Sequence, residues 1–142
     1  DGELAFWQIA LKPGRPFAAG RLGQALYAGL PGNPVAAAVC FLLFVRPLVL
    51  ALAGAGLVWP KPISVPSAFA FQKRAGRTEV LRARLDTDEG GRLVARRIPR
   101  DGSGILTSLI EADGFVLLEH ERTRVEPGEP VGWLSFAELG AG

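Results

Sequence analysis

The sequence contains few of the residues that carry covalent or metal chemistry. It has one cysteine, Cys40, one histidine, His120, and no methionine. A single cysteine excludes an internal disulfide framework and a cysteine-rich metal site, and it suits a reducing cytoplasm. A Ser-His-Asp triad would have to be built on His120, whose charged surroundings are more typical of a strand end. Cys40 lies in an apolar segment and is interpreted as a small core residue rather than a nucleophile.

Motifs of several common functional classes are also missing. The chain has neither a P-loop nor a G-x-G-x-x-G fingerprint. Its net charge of +2 is too small to predict a nucleic-acid partner by itself. The start, Asp1-Gly2-Glu3, lacks the basic and apolar regions of a secretory signal. It also lacks an initiator methionine, so we expect a fragment of a longer protein.

The longest apolar stretch, residues 35–59, raises the question of a membrane span. Arg46-Pro47 interrupts it and leaves two apolar runs, each too short to cross a bilayer. We therefore expect a buried helix and no membrane span. The overall composition, with 49% apolar and 21% charged residues, is that of a soluble globular protein.

The composition changes near Trp59-Pro60-Lys61-Pro62, and the part before this point predicts strands followed by a helix. The predicted strands cover residues 6–11, 16–22 and 24–30. Asn33 is expected to cap the helix, with Pro34 at its first position. The helix should run to about Ala53, bend or pause at Arg46-Pro47 and end at Gly54. Because it is apolar nearly all round, we expect it to be covered on more than one side.

The part after Pro62 predicts a small all-β domain. Strands are expected at residues 81–85, 92–98, 115–118 and 131–136, with a helical turn at 103–109. Arg82 and Arg84 alternate with apolar residues and predict a basic outer face. Guanidinium groups suit phosphate recognition, but interleaved acids favour solvated strand faces for most of this part's arginines. They are Arg74, Arg77, Arg82, Arg84, Arg92, Arg96, Arg97 and Arg100.

The turn Pro31-Gly32-Asn33-Pro34 is the strongest candidate site. A strand that enters a glycine-containing turn and then a helix presents main-chain N–H groups to an anion. The alternative is that the turn is simply a good helix start. A second candidate is the loop Lys12-Pro13-Gly14-Arg15-Pro16, where two cations could hold a phosphate or oxyanion, or form an ordinary basic turn. Ser103, between two glycines, offers a hydroxyl or forms a tight turn.

Taken together, these segments resemble a known family. In the first part they are Phe6-Trp7, Lys12-Pro13-Gly14-Arg15-Pro16, Gly20-Arg21-Leu22, Gly29-Leu30-Pro31-Gly32-Asn33-Pro34-Val35 and Arg46-Pro47. In the second part they are Gly76-Arg77, Arg82-Ala83, Ser103-Gly104-Ile105-Leu106, Ser108-Leu109, Ala112-Asp113-Gly114-Phe115 and Gly128-Glu129-Pro130-Val131. The whole chain is similar to the MoeA/gephyrin E-domain family of molybdopterin molybdotransferases.

The resemblance implies the fold and the reaction. Residues 1–57 would form the C-terminal portion of a MogA-like molybdopterin-binding α/β domain, and residues 60–142 the family's small all-β C-terminal domain. Family members are cytoplasmic homodimers whose cleft combines domains of both subunits. With Mg²⁺, they insert molybdate into adenylylated molybdopterin and release AMP. A MogA-like adenylyltransferase is an expected partner, and no residue distinguishes molybdate from tungstate.

The resemblance also assigns roles to residues. Lys12 and Arg15 would hold phosphate or molybdate, although Arg15 stands where the family often has lysine, which changes the geometry. The turn Pro31-Gly32-Asn33-Pro34 would line the pterin pocket, and Arg82 and Ser103 would contribute from the second domain. No metal ligand is assigned, because the acidic Mg²⁺ ligands are expected upstream. The chain alone should therefore be inactive; alternatives are a gephyrin-like scaffold that binds a peptide and a generic anion-binding fragment.

Overall fold

The computed structural model describes residues 2–99 and 105–141, which form two compact units, residues 1–59 and 60–142. The strands of the first unit are β1 (Gly2–Phe6), β2 (Leu11–Lys12), β3 (Ala18–Leu22) and β4 (Ala25–Gly29). Three of them form an antiparallel sheet in the order β1-β3-β4. The strands predicted at 16–22 and 24–30 are thus confirmed, with a two-residue connection between them.

The strand predicted over residues 6–11 is wrong. Strand β1 ends at Phe6, whose pair with Ala19 is the last one between β1 and β3. The chain then bends away, and the Ile9 N–H donates to the Arg15 carbonyl at 2.9 Å. This bond closes a loop instead of extending a sheet.

The long helix is continuous but not uniform. Helix α1 (Pro34–Cys40) runs through a π-helical segment, Phe41–Val45, into α2 (Arg46–Leu50). A second wide segment, Ala51–Ala55, contains Gly54 at a φ of 88°, which confirms the predicted end. The helix does not pause at Arg46-Pro47, but it widens into a π turn directly before them, where the Arg46 N–H donates to the Phe41 carbonyl five residues back. A π-turn is one way to accommodate a missing donor without ending a helix.

Within the described residues, this helix is buried along one of its faces and not, as had been expected, on several. Val39, Cys40 and Pro47 are almost fully buried, and the Phe44 ring stacks on Phe17 with centroids 5.5 Å apart. The second half is open, with Leu52 67% exposed. By length and composition alone, Pro34–Ala55 could cross a membrane, but its buried face packs as a core helix does.

The second unit is built around one antiparallel sheet. Its elements are β5 (Ile63–Pro66), β6 (Phe71–Gln72), β7 (Thr78–Thr87), β8 (Leu93–Arg97), α3 (Ile105–Ile110), β9 (Gly114–Leu118), β10 (Arg124–Val125) and β11 (Pro130–Ser135). Within this unit the strand order is β8-β7-β9-β11-β5, while β6 pairs with β10. A parallel bridge between Ser67 and Ala95 joins the two ends, so the sheet curls toward closure.

The curled sheet surrounds an apolar core that includes Trp133, Val116 and Leu118, each at most 1% exposed. Phe115 is also buried, and its ring meets Phe136 edge-on at 4.9 Å between centroids. Gly114 permits close strand packing, since a Cβ there would lie 2.2 Å from the Leu134 carbonyl oxygen. Burial of these apolar surfaces, at about 25 cal/mol per Å², is the main source of this unit's stability.

Most sequence predictions for the second unit are confirmed, with one correction. The four predicted strands, the 88–91 turn and a short helix at 105–110 lie where they were expected, within a few residues, whereas β5, β6 and β10 were not predicted. Arg82, however, is 8% exposed and does not belong to a solvated outer face. Strand β7 is buried on both sides from Glu79 to Ala83 and becomes half-open beyond that point, where Arg84 is exposed.

Titration of the Asp86 and Asp88 carboxyl groups tests the hydrogen bonds of the turn between β7 and β8. Hydrogen bonds from the Arg92 main-chain N–H, and then from its side chain, lower the pKa of Asp88. Hydrogen bonds from Thr87 and then Arg96 lower the pKa of Asp86. We expect Arg92→Ala to raise the Asp88 pKa only partly, because the main-chain donor persists.

Arg96→Ala is the matched control, since it should raise the pKa of Asp86 and leave that of Asp88 in place. Carbon-detected NMR titration measures both. Because folding lowers these pKa values, the associated stability is present above the ordinary carboxyl pKa and is lost as pH falls through the lowered one. Full return of Asp88 to its ordinary pKa in Arg92→Ala would contradict the main-chain explanation.

Candidate functional site

The turn from β4 into helix α1 is held by a side-chain cap. Asn33 has extended main-chain angles, and its Oδ1 accepts hydrogen bonds from the N–H groups of Val35 at 3.0 Å and Ala36 at 3.1 Å. Its carbonyl accepts the Ala37 N–H at 2.8 Å, and Pro34 occupies the first helical position. The predicted N-cap is therefore confirmed.

This cap decides which donors the turn offers to a ligand. Val35 and Ala36 already donate to Asn33, and Pro34 has no N–H, so the amides of Gly32 and Asn33 are the turn's remaining donors. Gly32 is exposed, and no atom lies within 4 Å of the position that a Cβ would take there. Pro31 is buried and anchors the turn. The turn 31–34 is thus an exposed stretch of main chain, called the main-chain corner below, beside a helix whose N-terminus is well capped.

The basic loop 12–16 is ordered by its own main chain. The Arg15 carbonyl accepts the Ile9 N–H at 2.9 Å, and the Gly14 carbonyl accepts the Phe17 N–H at 3.1 Å. The Lys12-Pro13 peptide is cis. Lys12 is half-buried, whereas Arg15 is exposed, with its Nη2 3.4 Å from Gln8 Oε1. The loop thus presents one sheltered and one open cation from a fixed backbone.

Gly14 attaches this loop to the helix. The Cys40 thiol donates to the Gly14 carbonyl with an Sγ–O distance of 3.7 Å. Gly14 has a φ of 127°, and a Cβ there would lie 2.7 Å from Cys40 Sγ and 3.0 Å from Leu11 Cδ2. Burial raises the pKa of Cys40 to about 11, so the thiol stays neutral and can donate. The expectation that Cys40 is a core residue is confirmed.

The loop and the turn are consequently fixed to the same helix. Cys40 lies seven residues beyond Asn33, which is about 10 Å along the axis at about 1.5 Å per residue. The sequence indicated both segments but not the thiol contact between Gly14 and Cys40. The signal was a glycine enclosed by prolines, which is typical of a close main-chain approach as well as of a turn.

In the second unit, the structure places Arg82 against helix α3. Its guanidinium donates to the hydroxyl of Ser108, which is itself 7% exposed. In the sequence, Ser108 was named only within a segment that carries the family resemblance and was given no role, although a serine in a mostly apolar helical turn is a signal for a buried polar contact. Ser103 lies outside the described residues.

Two further candidates are the single histidine and possible metal ligands. His120 is exposed on a turn, with Nδ1 2.6 Å from Glu121 Oε1, as expected for a surface residue. Within residues 2–99 and 105–141, the His, Cys, Asp and Glu side chains form no group of three or more that could hold a metal ion. The described residues therefore do not fit a Mg²⁺ site of their own.

Comparison with known proteins gives two family matches that together cover most of the chain. Residues 64–136 match the MoeA C-terminal region (domain IV), and residues 1–51 match a probable molybdopterin binding domain. The chain belongs to the MoeA family. Its fold is accordingly a portion of a MogA-like α/β domain followed by a β domain.

Individual relatives agree with this assignment. The chain is 38% identical over 140 residues to the molybdopterin molybdenumtransferase of Haemophilus influenzae, covering 97% of this chain and 34% of the relative. It is 30% identical over 143 residues to the Bacillus subtilis protein of the same name, covering 96% and 31%. The chain thus spans about a third of the length of these relatives.

A solved structure of a MoeA molybdopterin biosynthesis protein from Pyrococcus horikoshii is also similar. It aligns with a TM-score of 0.75 at 30% identity, over 95% of this chain and 32% of that one. A molybdenum cofactor biosynthesis protein from Pyrococcus furiosus aligns with a TM-score of 0.68 at 25% identity, over 93% and 45%.

The Asn33 cap gives a first test of the site. We expect Asn33→Ala to destabilise the start of helix α1 by about 0.5–2 kcal/mol, because the N–H groups of Val35 and Ala36 lose their acceptor. Asn33→Ser is the matched control, since serine also caps. Hydrogen exchange of amides 35–40 in the full-length protein measures the difference. If amides 35–40 were equally protected from exchange in Asn33→Ala and Asn33→Ser, the side-chain cap would contribute nothing to the stability of the helix start.

The Gly14 contact gives a second test. Gly14→Ala should destabilise the loop by about 1–3 kcal/mol, because it combines an unfavourable φ with a collision at Cys40. Gly32→Ala is the control, since the space around it is open. Alkylation of Cys40 at pH 8 reports the contact. It should be slow in the parent and in Gly32→Ala, and faster in Gly14→Ala; equal rates in all three would disprove the attachment.

Proposed function

We propose that this chain is part of a molybdopterin molybdotransferase, a transferase that inserts molybdate into adenylylated molybdopterin and releases AMP. The observation that carries the proposal is the arrangement of the first unit. An open main-chain corner and an ordered basic loop are fixed to one helix, in a unit that matches a molybdopterin-binding family. The names of the relatives support the reaction class.

The proposed ligands explain why both features are needed. Molybdate and an adenylylated phosphate are both anions, so they repel each other unless fixed positive charge lies nearby. Lys12 and Arg15 supply that charge from a backbone that is already ordered, which lowers the entropy lost on binding. The amides of Gly32 and Asn33, with Pro31 and Pro34 shaping the turn, would hold the pterin end.

The finer parts of the proposal extend beyond the described residues. Mg²⁺ would neutralise phosphate charge, with acidic ligands from outside this chain. A homodimer, a cytoplasmic location and a MogA-like adenylyltransferase that supplies the substrate complete the proposal. Ligand contacts of Arg82 and Ser103 stay predictions.

The test is a titration of the full-length protein with molybdate and with adenylylated molybdopterin. Lys12→Ala should weaken binding by about 1.5–3 kcal/mol, or about 10- to 150-fold, because a charge-assisted contact is lost. Lys61→Ala removes an exposed lysine elsewhere and should leave the affinity unchanged. Isothermal titration calorimetry measures each dissociation constant.

Four results would argue against the proposal in different ways. An unchanged affinity in Lys12→Ala removes this residue from the site. A full-length protein that binds neither ligand, yet folds, favours a gephyrin-like scaffold. Thermal protection of the fold by phosphate but not by molybdopterin favours a generic anion-binding fragment. Cofactor synthesis by the 142-residue chain alone would contradict the assignment of the metal ligands to other parts of the protein.

A further inference from the structure

Two contacts close the basic loop on either side of Gln8. The Phe6 and Phe17 rings lie with their centroids 5.8 Å apart, and Phe17 is buried in the core of the first unit. Further along the chain, the Ile9 N–H donates to the Arg15 carbonyl at 2.9 Å. Gln8 lies between these two contacts in the sequence, so both hold it close to Arg15.

The side chains of Gln8 and Arg15 meet across the loop. Arg15 Nη2 donates to Gln8 Oε1 at 3.4 Å, and both residues are exposed. The contact uses one N–H of a planar guanidinium, whose donors have fixed directions relative to one another. An acceptor for one donor therefore sets the orientation of the others. This restricts the guanidinium before any anion binds and lowers the entropy lost on binding.

The charge of the acceptor also suits an anion site. Gln8 is neutral, whereas a carboxylate at this position would form an ion pair with Arg15 and repel an incoming anion. Asp1 and Glu3 are the acidic residues among the first 59, so residues 8–16 contain no carboxylate of their own. A carboxamide oxygen thus orients the cation of Arg15 and leaves its charge available.

We propose that Gln8 is a positioning residue for anion binding, whose carboxamide oxygen orients the Arg15 guanidinium without neutralising it. The proposal rests on the proposed function, in which Lys12 and Arg15 hold phosphate or molybdate. No role was assigned to Gln8 from the sequence, where it fell within the strand predicted at 6–11. Because Gln8 acts through Arg15, its effect on anion binding depends on the presence of that arginine.

The test measures the dissociation constant of molybdate for the full-length protein by isothermal titration calorimetry. Gln8→Leu removes the acceptor at similar size and should weaken binding about 2- to 10-fold, because Arg15 is then ordered only when the anion binds. Gln8→Glu keeps an acceptor but adds a negative charge, so it should weaken binding further than Gln8→Leu. Gln24→Leu, at an exposed glutamine in the turn between β3 and β4, is the matched control and should bind as the parent does.

A double variant separates positioning from direct contact. Arg15→Ala should weaken molybdate binding, and the addition of Gln8→Leu to Arg15→Ala should change it no further. If Gln8→Leu weakened binding by the same factor with and without Arg15, Gln8 would contact the anion itself, and the positioning role would be wrong.

Nitrogen-15 relaxation of the Arg15 side-chain Nε–H gives a readout without ligand. Its order parameter should fall in Gln8→Leu and stay at the parent value in Gln8→Glu and Gln24→Leu. An unchanged order parameter in Gln8→Leu, or molybdate binding as tight as in the parent, overturns the role of Gln8 alone. A parent protein that binds neither molybdate nor adenylylated molybdopterin overturns the proposed function, and the role of Gln8 in anion binding with it.

Discussion

The close approach of the basic loop to the helix is the constraint on which the first unit's candidate site depends. Gly14 can lie against Cys40 because it has no side chain and tolerates a φ of 127°. Any larger residue would push the loop away and carry both cations with it. The thiol is suited to its side of this contact, since burial keeps its pKa near 11 and leaves it an uncharged donor.

The cap at Asn33 also fixes a candidate segment through a local contact. Unlike the contact at Gly14, it uses main-chain N–H groups that a ligand could otherwise bind. The Asn33 side chain accepts hydrogen bonds from two of the helix's first N–H groups, so these two donors need no bound anion. A site at this corner cannot rely on those amides and must use those of Gly32 and Asn33 instead. In the proposed site, helix capping and ligand binding would therefore use different main-chain groups.

Local signals predicted most of the fold. Asn33 followed by Pro34 identified the helix start, Gly54 identified its end, and the turn at residues 88–91 identified the β7-β8 hairpin. The failures occurred where distant residues decide the outcome. Strand β1 pairs with β3 only as far as Phe6, and the helix continues through the proline at position 47 with a widened turn before it. Neither outcome can be read from a local pattern.

The candidate site also divides into features that the local sequence predicted and features that distant residues decide. The sequence located Lys12, Arg15 and the turn at Gly32 because charge, glycine and proline are concentrated there. It could not separate Arg82 from Arg84, since alternation places both on one predicted face of a strand. Depth separates them: β7 is buried on both sides at Arg82 and open at Arg84, two residues later. The guanidinium of Arg82 therefore bonds to helix α3, whereas that of Arg84 is exposed to solvent. The role of each arginine depends on its burial.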